Sequence, residues 1–175
     1  RIVGLYKRWA ELGRTGGEPG VTLLYGSMYG NTELMMNAVA DGIGSTGLPL
    51  EIFDVARAHS SYILPALWMN KGVMIGAPTY EVGVFPPMAQ ALHTAFEKRL
   101  SGKIAAQFGS YGWSGESVKL INEELTKAGF NIVDEGFKTT WNPDIDILEK
   151  LREYGKNFAA KLPELPEALS FFITS

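Results

Sequence analysis

The 175-residue sequence contains no cysteine. That absence excludes disulfides, thiolate zinc sites and iron–sulfur clusters, and it suits a reducing compartment, so the cytoplasm is the expected location. Histidine is nearly absent too. His59 and His93 show no H-x-H-x-D spacing, a non-haem iron pair cannot be assembled from them, and surface or half-buried packing is the expected role of each. Positive charge is sparse: the net charge is −3, and no Lys/Arg run exceeds two residues. A nucleic-acid partner would lack its electrostatic footprint. No segment approaches the roughly 18 uninterrupted apolar residues of a membrane span, and no charged n-region with an apolar h-region opens the chain. Neither a membrane partner nor a metal is expected.

What is present is the balance of a soluble globular domain, 46% hydrophobic and 20% charged. The chain opens on Arg1, with Ile2, Leu5, Tyr6, Trp9 and Leu12 at helical spacing. "GRTGGEPG", residues 13–20, reads as a linker by composition, so residues 1–20 are expected to be a joining helix and linker from a missing upstream domain. Apolar runs suited to buried strands follow at Val21–Tyr25, Leu50–Val55, Gly72–Ala77, Lys103–Phe108 and about 131–139. Helical patterns fill about 31–44, 60–69, 86–100, 115–128 and 143–161. Five strands alternating with five helices predict a doubly wound α/β domain over 21–162, its sheet mostly parallel and covered on both faces. Asn142-Pro143 reads as an N-cap and first helical residue, Lys127-Ala128-Gly129 as a helix end, and Pro65 as a late helix start or a kink. A tail with two prolines occupies 163–175.

The twenty glycines exceed the roughly 12 expected at average usage, but their placement matters more. "GSMYGNT" (26–32), "GAPTYEVG" (76–83) and "GSYGWSGE" (109–116) follow the first, third and fourth strands. Ligands of open parallel sheets bind at the carboxyl ends of strands, where strand order reverses. In the order 2-1-3-4-5 these three strands are adjacent, and their loops converge on one crevice.

The first loop has no Lys or Arg. It lacks the Gly-Lys-Ser/Thr of a Walker A loop and the G-x-G-x-x-G of a dinucleotide site. It offers Ser27, Asn31 and Thr32 side chains and free backbone N–H groups at a helix start. A helix dipole supplies about 0.3–1 kcal/mol to a bound anion, whereas each hydrogen bond to a charged group supplies about 1.5–3. Four or more donors would outweigh the dipole. The alternative is a tight strand-to-helix turn with Ser27 or Asn31 as a cap. The second and third loops add Tyr80, Tyr111 and Trp113, aromatic faces beside glycines that admit a planar ligand. Phosphate at one end and a flat ring at the other describe a mononucleotide.

On "YGSMYGNTE" (25–33), "IGAPTYEVGVFPPM" (75–88) and "FGSYGWSGE" (108–116), the region from Val21 to about Leu162 resembles a short-chain flavodoxin-like domain, and more narrowly the carboxyl-terminal flavodoxin module of flavodiiron proteins (A-type flavoproteins). The resemblance implies a three-layer sandwich with a five-stranded parallel sheet in order 2-1-3-4-5, and FMN as cofactor. It implies that Ser27, Met28, Tyr29, Gly30, Asn31 and Thr32 hold the phosphate. It further implies that Pro78, Thr79, Tyr80, Glu81, Val82 and Gly83 line one side of the isoalloxazine and Ser110, Tyr111, Gly112, Trp113 and Gly115 the other. The opening "GLYKRWAEL" is similar to the family's joining helix.

The implied function is an electron-transfer module without catalytic residues of its own. Its FMN takes electrons from a redox donor (rubredoxin, a flavoprotein reductase or reduced coenzyme F420) and feeds a diiron oxygen or nitric oxide reductase centre in the missing upstream domain. Glu81 and Glu116 are expected either to disfavour the anionic reduced flavin or to be plain solvated loop charges. The alternative function is a free-standing FMN-dependent NAD(P)H:quinone reductase of the same fold. A phosphoacceptor receiver domain is rejected, because Tyr25-Gly26 and Ala77-Pro78 stand where it needs acidic residues. In the tail, Phe171, Phe172 and Ile173 either dock on a neighbouring domain or subunit or fold back over this domain's helices. The family's head-to-tail dimers imply a homodimer interface.

Overall fold

The computed structural model describes residues 2–98, 100, 102–112 and 115–163; Trp113 and the tail's Phe171, Phe172 and Ile173 lie outside the described residues. The elements in order are α1 (Ile2–Thr15), β1 (Glu18–Tyr25), α2 (Asn31–Gly44), β2 (Leu50–Asp54), α3 (Ser60–Met69), β3 (Asn70–Gly76), β4 (Thr79–Tyr80), β5 (Gly83–Val84), α4 (Pro86–Glu97), β6 (Ile104–Tyr111), α5 (Glu116–Lys127), β7 (Asn131–Ile132), β8 (Phe137–Thr140) and α6 (Ile145–Ala159). The main sheet runs β2-β1-β3-β6-β7, with β8 also on β6, and every pairing within it is parallel. This is the expected order 2-1-3-4-5, with the fifth strand delivered in two pieces. Alternation along the strands separates two cores. Val21, Leu23, Met74 and Phe108 meet α2 and α6 on one face; Leu24, Val73, Ile75 and Ala105 meet α3, α4 and α5 on the other.

Several boundaries depart from the expected ones. The strand expected over 131–139 breaks at Asp134, whose carboxylate accepts from the Gly136 N–H at 2.8 Å and from the Tyr154 hydroxyl at 2.7 Å. The Val133 N–H still donates to Ala105 O on β6 at 3.1 Å; the local turn detaches 134–136 from the ladder, and β8 rejoins β6 farther along. β6 extends to Tyr111, so Gly109–Tyr111 belong to a strand rather than a loop. The linker shrinks to Gly16-Gly17: α1 continues to Thr15, and β1 starts at Glu18, paired with Asn70. α6 is capped by Asp144, whose side chain accepts from the Ile147 N–H at 2.8 Å, so Asn142 is not the cap and Pro143 precedes the helix. α3 begins at Ser60 and runs through Pro65, with no late start; the His59 ring caps it by accepting from the Ser61 N–H. Gly129 follows the end of α5 in the left-handed region, as expected.

α2 and α6 cross at backbone distance. A Cβ at Gly42 would stand 1.9 Å from the Arg152 carbonyl oxygen, and one at Gly155 would stand 2.3 Å from that of Val39. Only glycine permits this approach. It fixes α2, and with it the direction in which its amino terminus points.

At the amino ends of the strands lies a buried charge with three hydrogen-bond partners. Lys103 is 2% exposed, and its ammonium donates to the carbonyls of Gly16 (2.8 Å), Trp68 (2.9 Å) and Asn70 (2.9 Å). Lys71 donates to Thr15 O nearby. Burial, aided by the Lys71 charge, pulls Lys103 down to about 8.

Candidate functional site

The carboxyl ends of β1, β3 and β6 open into a cleft of about 160 Å³ lined by Met28, Tyr29, Asn31, Pro78, Thr79, Ser110, Tyr111, Gly112 and Trp141. All three predicted loops contribute to it. The first loop leaves β1 at Tyr25 and turns into α2 through Gly30, whose φ of 87° is left-handed. Gly30 is the N-cap and makes no side-chain cap bond, so neither Ser27 nor Asn31 caps the helix; Ser27 Oγ instead accepts from the Gly30 N–H at 3.0 Å. The N–H groups of Asn31, Thr32 and Glu33 find no acceptor among the described residues. These are the donors a helix start leaves over, and a turn built only for capping would have engaged one with its hydroxyl.

Hydroxyl pairs tie the loops together. Thr32, 1% exposed, lies 3.1 Å from Ser110 across Oγ1 and Oγ, which joins the first loop to the third. Its hydroxyl thus already has a protein partner. The Ser117 N–H donates to Thr79 Oγ1, the Thr79 hydroxyl donates to Ser117 Oγ at 3.0 Å, and the Ser117 hydroxyl reaches Ala77 O at 3.5 Å. This relay pins the second loop to the start of α5. The sequence reading missed Ser117; its signal was a hydroxyl in the first turn of a helix that follows a glycine-rich loop.

The second loop is a small hairpin, β4 against β5, with Glu81 and Val82 at its tip. Tyr80, Glu81 and Val82 are exposed and, with Gly83, stand at the rim rather than in the lining. Gly115 is buried, caps α5 with φ 59°, and packs beneath the Tyr111 ring rather than in the cleft. Glu116 opens α5 half-buried. Outside the cleft, His93 pairs with Glu97 at 3.4 Å. No group of metal-ligating side chains occurs among the described residues, and no described helix is long and apolar enough to cross a membrane.

Among the described residues, the non-glycine residues with positive φ are Glu81 (54°) and Trp141 (55°). Each costs about 1–2 kcal/mol relative to ordinary backbone. Trp141 lines this cleft, and Glu81 sits at the tip of the β4–β5 hairpin whose Thr79 lines it; strain of this kind collects at functional sites. Trp141 was not foreseen; an aromatic leaving the last strand in "TTWNP" was the available sign.

The donor set fits a phosphate monoester: neutral N–H groups at a helix start, a serine and an asparagine, and no side chain dedicated to acid–base work. The aromatic and glycine lining suits a planar ring.

Comparisons agree. The flavodoxin family profile matches residues 23–155. The chain is 36% identical over 172 residues to the anaerobic nitric oxide reductase flavorubredoxin of Enterobacter sp. (strain 638), covering 96% of this chain and 35% of that protein. It therefore spans about a third of the length of such relatives. Among solved structures it superposes on rubredoxin oxygen:oxidoreductase from Desulfovibrio gigas with a TM-score of 0.83 and 27% identity, covering 97% of this chain and 40% of that one. It superposes on a flavodoxin from the domain Archaea with a TM-score of 0.73 and 27% identity, covering 81% of this chain and 97% of that one. With sheet order and profile in accord, the chain belongs to the flavodoxin family, and FMN is the cofactor that this membership implies.

Proposed function

We propose that this chain is an FMN-binding electron-transfer domain of a flavodiiron protein, relaying electrons from a reduced donor to a diiron oxygen or nitric oxide reductase centre elsewhere in a longer cytoplasmic parent. On this reading residues 1–17 are the joining segment, 18–162 the flavin domain, whose first strand starts at Glu18 rather than at the expected Val21, and 163–175 a tail. The reading is carried by one observation: the N–H groups of Asn31, Thr32 and Glu33 meet no acceptor among the described residues, at the head of a cleft whose lining includes Tyr29, Tyr111, Trp141 and Gly112. FMN, when bound, supplies the redox chemistry. The protein binds, orients and shields it. Ser27, Asn31 and the N–H groups of the α2 start hold the phosphate; Pro78, Thr79 and the 80–83 hairpin flank one side of the ring, and Ser110, Tyr111 and Gly112 the other. The Thr32–Ser110 and Thr79–Ser117 pairs keep those walls at fixed separation. The match to a flavorubredoxin along 96% of this chain supports the diiron acceptor and a rubredoxin-type donor.

Titration of the purified chain with FMN tests the reading. The expected result is a yellow, stoichiometric complex that reduced rubredoxin bleaches and NADH or NADPH does not. A chain that stays colourless overturns the cofactor site, and rapid bleaching by NAD(P)H alone makes it a free-standing quinone reductase instead.

A further inference from the structure

We propose that Trp141 is a wall of the cofactor cleft, its indole closing the cleft from the β8 side and packing against bound FMN. The inference rests on the FMN reading above and adds a residue from the fifth strand to three loops drawn from the first, third and fourth. Three observations carry it. Trp141 lines the same cleft as Met28, Tyr29, Ser110, Tyr111 and Gly112. It is 68% exposed, so the largest apolar side chain of this turn contributes little burial to folding. Its backbone sits at φ 55°, a conformation that disfavours every side chain, and it is held there by the Trp141 N–H donating to Tyr111 O at 3.1 Å just past the end of the β6–β8 ladder. A strained backbone that aims an unburied indole into a cleft gives the folded chain nothing by itself. A planar ligand seated there gains an aromatic surface at little entropic cost, since the indole has two rotatable bonds and its backbone is already fixed.

The test is a fluorescence titration of the full chain with FMN, for wild type, Trp141→Gly and Trp141→Phe, with thermal melting of each ligand-free protein. Trp141→Gly is expected to weaken FMN affinity at least tenfold, which is about 1.4 kcal/mol. Trp141→Phe is expected to stay within about threefold of wild type. The ligand-free glycine variant is expected to melt no lower than wild type, because glycine accepts this φ freely. Equal affinity of wild type and Trp141→Gly overturns the inference, as does a glycine variant that melts well below wild type, which makes the indole a structural prop. Wild type that fails to take up FMN removes the cofactor reading itself, and this inference with it.

Discussion

At the amino ends of the strands, Lys103 brings one ammonium to three carbonyls, those of Gly16, Trp68 and Asn70, while the Asn70 amide donates to Thr22 and Glu51. At the carboxyl ends, the N–H groups of Asn31, Thr32 and Glu33 meet no acceptor among the described residues, and Glu81 and Trp141 hold left-handed backbone. One sheet thus has a pole where polar groups are matched and a pole where they are left over. The matched pole serves stability, because a buried charge without partners is costly. On the proposed reading the unmatched pole gives up stability for recognition, since donors already engaged could not receive a phosphate.

Four substitutions or titrations bear on that contrast. The largest effect is expected from Lys103→Met, which removes the donor from the buried carbonyls of Gly16 and Asn70 and the part-buried one of Trp68 and should cost about 3 kcal/mol, read from the denaturant midpoint, with FMN affinity unchanged. A loss below about 1 kcal/mol would break the contrast from the amino side. Next is Thr32→Val, expected to weaken FMN binding about tenfold, or about 1.4 kcal/mol, by releasing Ser110 and loosening the α2 start. Unchanged affinity would confine Thr32 to packing.

The third is a pH effect. Lys103 releases its proton near pH 8 when folded but near 10.5 when unfolded, so between those values the unfolded chain binds more protons and stability from this group rises with pH. Wild type minus Lys103→Met should therefore climb by about 1 kcal/mol per pH unit from 8 to 10, in denaturant melts. A flat difference would show that the three carbonyls restore the ordinary lysine value. The smallest expected effect is from Glu81→Gly, a gain of about 0.5–1 kcal/mol in the ligand-free protein through relief of the left-handed backbone. A lower melting temperature would show that the hairpin tip is not strained.

Legibility in the sequence followed the same division. α2 and α3 were readable in extent, though not the unbroken passage of α3 through Pro65, because their apolar positions recur at helical spacing: Met35, Met36, Val39 and Ile43 in α2, Ile63, Ala66 and Leu67 in α3. The cleft was readable through Met28, Tyr29, Asn31, Pro78, Thr79 and Ser110 to Gly112, because loops after adjacent parallel strands must converge. The split of the fifth strand was hidden, since it depends on Asp134 meeting Tyr154 from twenty residues away. The β4–β5 hairpin was hidden because its tip carries glutamate where a tight turn normally takes glycine. Lys103 looked like an ordinary strand opener, as no local pattern announces three carbonyls gathered from two distant segments.

The glycine crossing of α2 and α6 carries one more consequence. With Gly42 against Arg152 and Gly155 against Val39, the two helices behave as a splinted pair, and the muzzle of α2 is trained on the cleft from its far end. Affinity for a phosphate is therefore governed partly by a joint that never meets the ligand. A single methyl group there would swing the α2 start, Asn31 included, without altering the identity of any residue that lines the cleft.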